Sequence, residues 1–539
     1  MRSLVASGQL AVGPWRVLLD EFLCSGENIV RNLEMGWNGA SELGSPMPVG
    51  YLPDMFGHCA QMPQILALAG LEHACLWRGV PSSVDRHAFM WRAPDGTTVR
   101  TEYLPGGYGN AADLFAASVS DDLEGSGDAV SVLSSRLNSR VARLDSWFGD
   151  DPFLAMYGTD HAAPLPTLMQ QVAQLDGSNG IRIQVCTLTD YILARDPVQP
   201  GLPVVDGELR SHARANILPG VISVRWHLKE AMARAERMVE RYAEPFAALW
   251  SPDWPAAYLD LAWRRLVDAS CHDSVTGCGV DETALQVAAR IAEAEHAGQA
   301  VRDRAAAAVA RSVSADAVLV LNPSPSPRTA LVSLDLPVPE DWPSVELVIG
   351  GDVQVPTQEV ERNERLLADE QVEAGDLAAL FRRVHDRELF GQQITHVELD
   401  IVEQSLTFHV ATRPGDEPFD VAAEQQRAAA AAAERPGTWR VRTIDEPRRR
   451  LVAQLRVPAL GWTTAAAVAA DEPADVGAGA VWLTTESVAA NGLLTVAVRP
   501  DGALRLESAD GTVLDGVGRL VDGGDCGDTY NYGPPARDL

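Results

Sequence analysis

Long apolar runs are absent from this 539-residue chain: no stretch of about 18 apolar residues could cross a bilayer as a helix. Basic charge is scarce, with 44 Lys and Arg against 74 Asp and Glu and a formal charge of −30. Such a surface repels phosphate backbones and anionic lipid, so neither nucleic acid nor membrane is an expected partner. Cysteine is thinly spread. The seven (Cys24, Cys59, Cys75, Cys186, Cys271, Cys278, Cys526) are odd in number and form no CxxC pair, which reads as reduced thiols. No HExxH or HxH occurs either, so any metal must gather ligands distant in sequence. The stretch GGYGNAADL at 106–114 lacks the Lys of a phosphate-binding loop and does not read as GxGxxG, and no GxSxG elbow is found. Nucleotide binding is thereby disfavoured. The opening residues, MRSLVASGQLAVGPWRVLLDEF, reach Asp20 and Glu21 before any long apolar run. They make a poor secretory signal, and a cytoplasmic location is the expectation.

What is present is an ordinary globular composition, 46% hydrophobic and 22% charged, in a chain long enough for several domains. Three textures follow one another. Over 1–198, short apolar runs such as HACLWRGV and DPFLAMYG alternate with helix-like stretches such as AQMPQILALAG and VSVLSSRLNSRVARLDSWF. That alternation predicts an α/β domain whose parallel strands present functional loops at their carboxyl ends. Over 205–315, Ala, Arg, Glu and Leu recur at helical spacing and predict a helical bundle, set off by the Pro- and Gly-rich segment PVQPGLPVVDGELRSHARANILPG. From 317 to 539, period-two alternation punctuated by Pro, Asn-Gly and Asp-Gly predicts a β-sandwich region. Within it, QRAAAAAA at 426–433 is a low-complexity insert, read as a helix or linker. No internal repeat is evident. Neither end begins or finishes on a recognisable element, and both are expected to be incomplete.

Four places could carry chemistry. Asp54, in VGYLPDMFGHCAQMPQIL, follows an apolar run and can serve as nucleophile or metal ligand, or simply as a helix N-cap. His58, beside Gly57, is more ordinarily a hydrogen-bonded structural histidine. Asp160, in FLAMYGTDHAAP, sits near an aromatic, Tyr157, that could desolvate it toward a general acid; its plain alternative is a polar turn residue. His272 and Asp273, in VDASCHDSVTGCGVDE, suit a metal ligand and its neighbour, or an interhelical turn. Arg78, closing ACLWRGV, could hold a carboxylate ionised or form a surface ion pair.

In order, these segments resemble the glycoside hydrolase family 38 α-mannosidases, particularly the bacterial branch. The resemblance runs through GPWRVLLDEFLCSGENIVRNLEMG (13–36), GYLPDMFGHCAQMPQIL (50–66), LWRGV (76–80), MYGTDHAAP (156–164), NILPGVISVRWHLK (216–229), CHDSVTGCGVDE (271–282) and GDTYNYGPP (527–535). It implies a seven-stranded β/α barrel, here partial, then a three-helix bundle and β-sandwich domains. It also implies roles: Asp54 as nucleophile and zinc ligand, Asp160 as acid/base, His272 as a second zinc ligand. Phe56, Arg78, Tyr157 and Asp273 would bind substrate. The cofactor would be one Zn2+, the reaction retaining hydrolysis of α-D-mannosyl linkages, and the partner a mannose-containing oligosaccharide or mannosyl conjugate, in a possible homo-oligomer. The chain departs from the family in one respect. The H-x-H-x-D-x-x-W segment that supplies two further zinc ligands is missing, so an inactive carbohydrate-binding remnant or a truncated product is the alternative expectation.

Overall fold

The computed structural model describes residues 1–115, 127–314, 316–363, 366–415, 418–472 and 481–537. The chain divides into two compact units, one of Met1–Ala306 with Gly523–Leu539, the other of Ala307–Asp522. This differs from the three-part division expected at 1–198, 205–315 and 317–539. The helical segment packs as part of the first unit, and the last residues belong there too. Their hydrogen bonds explain why, since the Gly220 amide donates to the Tyr530 carbonyl at 2.7 Å and the Thr529 hydroxyl to the Cys278 carbonyl at 3.1 Å.

In the first unit, β1 (Gly50–Leu52), β2 (His73–Leu76), β3 (Ala88–Arg92), β4 (Thr98–Tyr103) and β5 (Val204–Asp206) form one sheet in the order β1-β2-β4-β3-β5. β1, β2 and β4 run parallel, so their carboxyl ends open on one edge; β3 is antiparallel to β4. Five strands in a mixed sheet are described, rather than seven in a barrel. The run DPFLAMYG forms no strand. Its backbone is satisfied otherwise, with the Met156 amide donating to the Asn110 side chain at 2.8 Å and its carbonyl accepting from Ala111 at 2.9 Å.

Apolar alternation drives this sheet against its helices. Leu52, Ala74, Leu76, Phe89, Trp91 and Val99 pack with Leu66 of the helix Met62–Leu68 and with Ile29 and Leu33 of the helix Gly26–Ser41. Each buried Leu, Ile, Val or Phe among them contributes roughly 1.5–3 kcal/mol. Helix Gly26–Ser41 starts where it does because the Ser25 side chain accepts from the Asn28 amide. Farther along, Trp226–Met238, Glu244–Trp250, Ala256–Ala269 and Asp281–Ala310 are helices around a shared core that includes Met232, Trp263, Leu266 and Ile291. A π turn at Val239–Ala243 precedes Pro245, whose missing N–H removes one α-helical bond there.

In the second unit, strands 328–337, 448–457 and 357–363 pack face to face with strands 317–322, 461–470, 344–349 and 353–355 over Leu336, Leu347, Leu451 and Leu455. A further sheet of strands within 366–445 is covered by the helix Val421–Glu434, where Ala428 and Ala431 are buried. The alanine-rich run is therefore a packed helix. Strands between Trp482 and Val517 make a sequential meander. All seven cysteines are free, and no helix of the described residues is long and apolar enough to cross a membrane.

Candidate active site

Three parallel strands end on the same edge and each delivers one wall of a cavity of about 520 Å³. Asp54 and Phe56 follow β1, Trp77 and Arg78 follow β2, and Gly106–Gly109 follow β4. Gly57 turns the first loop with a φ of +112°, and a Cβ there would lie 2.9 Å from the Phe22 ring. Gly107 plays the same part in the third loop, with a φ of +90° and the Trp77 indole 2.9 Å from where its Cβ would be.

At the centre stands an ion pair. Arg78 Nε donates to Asp54 Oδ1 at 2.5 Å, its Nη1 donates to the Asn216 carbonyl at 2.6 Å, and its guanidinium lies over the Trp77 ring at 4.1 Å. Burial raises the Asp54 pKa, and the Arg78 charge and hydrogen bond pull it back. The other Asp54 oxygen faces the cavity, where the Tyr108 hydroxyl lies 3.4 Å from it and 2.8 Å from Oδ2 of Asp160. The two carboxylate oxygens thus sit within the length of two hydrogen bonds laid end to end. Burial and the Asp160 hydrogen bond push the Tyr108 phenol up, so it stays a proton donor at neutral pH.

His272 and Asp273 come from the loop between two helices. His272 Nδ1 contacts the Leu18 carbonyl at 3.0 Å, which leaves Nε2 pointing at Asp54 Oδ2, 3.9 Å away, and at Asp273 Oδ2, 3.7 Å away. Burial alone would lower this imidazole. The contacts with Cys271, Asp273 and Leu18 outweigh it and bring the pKa to about 9. The loop itself is clamped by two cations: Arg225 donates to the Gly277 and Gly279 carbonyls at 2.6 Å, and Lys229 to the Thr276 carbonyl at 2.6 Å.

Of the residues singled out from sequence, Asp54, Phe56, Arg78, Asp160 and Asp273 line one cavity, with His272 directly behind Asp54. Tyr157 does not join them: its ring packs edge-on against Phe115, 5.6 Å between centroids. The aromatic that reaches Asp160 is Tyr108, in a glycine-rich segment weighed only as a phosphate loop. His58 is structural, fully buried with Nδ1 2.7 Å from Glu21 Oε1, while Glu21 Oε2 accepts from the Cys59 amide at 2.8 Å. Glu21, Trp77, Asp528, Tyr530 and Asn531 were also passed over.

A catalytic zinc centre needs about three protein ligands and one open position. Asp54 and His272 converge as a pair, but no group of three or more His, Cys, Asp or Glu side chains among the described residues is arranged to hold a metal. The donor set present does not fit that centre.

The pattern of the Glycosyl hydrolases family 38 N-terminal domain matches residues 1–197. These residues belong to glycosyl hydrolase family 38. A protein of Halalkalibacterium halodurans named "Putative mannosylglycerate hydrolase" is 26% identical over 313 residues, covering 55% of this chain and 34% of that protein. "Alpha-mannosidase 2C1" of Homo sapiens is 26% identical over 307 residues, covering 55% of this chain and 27% of that protein. The matches thus span about a third or less of these relatives. The crystal structure of an alpha-mannosidase from Enterococcus faecalis V583 superposes with a TM-score of 0.70 at 21% identity, over 100% of this chain and 56% of that one. That likeness is one of fold.

Proposed function

We propose that this chain carries the active site of an α-mannosidase that hydrolyses terminal α-D-mannosyl linkages with retention of configuration. The observation that carries the reading is the Tyr108 hydroxyl bridging Asp54 and Asp160. Carboxyl groups about 5–5.5 Å apart suit a covalent two-step mechanism, whereas about 6.5–9.5 Å is needed to seat a water for inversion. The two Tyr108 contacts keep the bridged oxygens no more than 6.2 Å apart, short of the spacing that inversion needs.

Each side chain then has a defined task. Arg78 occupies one oxygen of Asp54 and favours its ionised form, leaving the other oxygen to attack the anomeric carbon. Asp160 gives its proton to the departing glycosidic oxygen, then takes one from the water that releases mannose from Asp54, returning both groups to their starting states. Tyr108 holds the two carboxylates in register. Phe56, Trp77 and Tyr530 provide apolar faces around the cavity, with Phe56 and Tyr530 edge to face at 6.4 Å. On this reading the five-stranded sheet is part of a β/α barrel of seven strands, and the helices between 226 and 310 are its three-helix bundle.

The paired rather than complete set of metal donors favours a second reading, a pocket that binds mannosides without turning them over. Hydrolysis of an aryl α-mannoside by the 539-residue chain and by Asp54→Asn decides between them. The expected result is turnover that falls by about 10³-fold or more in the variant, with an unchanged circular dichroism spectrum. Binding with no turnover in either protein would establish the second reading.

A further inference from the structure

The ionisable residues around the described cavity are Asp54, Asp160, Asp273, Asp528 and Arg78, of which Asp160 enters the reaction protonated and adds no charge. The single cation among them is already engaged on three sides: by Asp54, by the Asn216 carbonyl, and by the face of Trp77. His272, behind the cavity, lies between Asp54 and Asp273. Among the described residues, Asp528 forms no ion pair. Its Oδ1 accepts from the Tyr530 and Asn531 amides at 2.9 and 2.8 Å, and this turn sets the carboxylate on the rim of the cavity. A carboxylate or phosphate entering with a substrate would find no free guanidinium or ammonium among these lining residues and would face unpaired negative charge.

We infer that the cavity selects uncharged mannosides and discriminates against substrates bearing a carboxylate or phosphate, with Asp528 as a specificity-determining residue. The inference rests on the mannosidase reading and narrows its substrate class. It sets this chain apart from the activity in the name of its Halalkalibacterium relative, because glycerate is an anion. One like charge across a partly hydrated pocket is worth about tenfold in affinity or kcat/KM. Screening by salt should shrink that difference.

A matched pair isolates charge from shape: α-mannosyl glycerate as its methyl ester and as the free acid. Titration calorimetry and hydrolysis of both are measured at pH 7 with the full chain and with Asp528→Asn, which keeps an acceptor for the two turn amides. The ester is expected to bind and turn over about tenfold better than the acid, and the gap is expected to close severalfold in the variant and at high salt. Equal or better binding of the acid would overturn the inference whether or not turnover is seen. An unchanged gap in Asp528→Asn would remove that residue from the selection. Preferred binding of the ester without hydrolysis of any α-mannoside would overturn the hydrolase reading and leave the charge selection standing. Binding of neither compound would overturn both.

Discussion

The two units use charge in opposite ways. In the first, ionisable groups are buried: Asp20, Glu21, His58, His87, Arg100, Glu102 and Glu236 are nearly inaccessible. They are tied into contacts such as Glu21 with His58, or Glu102 with His87 at 2.8 Å and with Arg100 at 3.0 Å. In the second, ion pairs sit mainly on exposed strand faces, as in Arg440 with Asp369 or Arg450 with Glu361, and Arg449 is a buried exception that donates to the carbonyls of Pro339 and Trp342. Desolvating a charge costs several kcal/mol unless it is well partnered, whereas an exposed pair is worth about 0–1 kcal/mol. The first unit therefore accepts an energetic cost that the second meets at few places, Arg449 and Asp445 among them. Its buried groups include those that hold the site loops in place, Glu21 beneath the Asp54 loop above all.

The sharpest way to break this contrast is to show that the first unit's carboxylates do no chemistry. Asp160→Ala should lower kcat/KM for alkyl α-mannosides by about 10²–10⁴-fold, because their leaving oxygen must be protonated. For an aryl mannoside with a good leaving group the loss should be far smaller. An equal loss for both, measured by initial rates, would remove Asp160 from the acid role and leave Tyr108 as the group to test.

How much of this was legible beforehand depends on the distance over which each feature is encoded. Asp54 and Arg78 stand two residues beyond β1 and β2, and short apolar runs followed by a polar residue announce such positions. Period-two alternation likewise announced strands such as Arg328–Pro337. Tyr108 was hidden because its loop was judged by the wrong ligand, although a tyrosine among glycines at a strand's carboxyl end was itself a signal. Tyr157 was misread because Gly158, with a φ of +141°, separates it from Asp160 by a backbone turn that sequence does not show. The Asp528–Asn531 wall depends on the Gly220 to Tyr530 bond, a pairing across more than half the chain that no local pattern encodes. The run DPFLAMYG has strand composition, but its backbone is claimed by Asn110 and Ala111, and tertiary partners override propensity.

A smaller effect tests burial without catalysis. Glu236 lies under the start of the helix Gly26–Ser41, where Oε1 accepts from the Ser25 amide and the Asn28 side chain, both at 2.9 Å. Burial raises its pKa from 4.5 to about 7 against the pull of those two donors. Between these values the folded chain keeps a proton that the unfolded chain has released. Its contribution to stability is therefore fully present below about pH 4.5 and lost as pH rises toward about 7, a change on the order of 3 kcal/mol. Glu236→Gln keeps the acceptor and abolishes the titration. Thermal melts between pH 5 and 8 should show the wild-type Tm declining relative to the variant's, and parallel curves would mean that this carboxyl is not held protonated.

The smallest effect is expected where the second unit keeps its charges outside. Arg440 donates to both oxygens of Asp369, at 2.9 and 2.6 Å, between adjacent strands, and the arginine side chain is 56% exposed. Good geometry does not make such a pair strong, because water solvates the separated ions almost as well and salt screens what remains. Asp369→Ala should leave the denaturant midpoint close to that of the parent chain, and closer still at high salt. A large drop in the midpoint would mean that this strand face is desolvated in the folded protein. The contrast between the units would then lie in what covers each sheet rather than in how each places its charges.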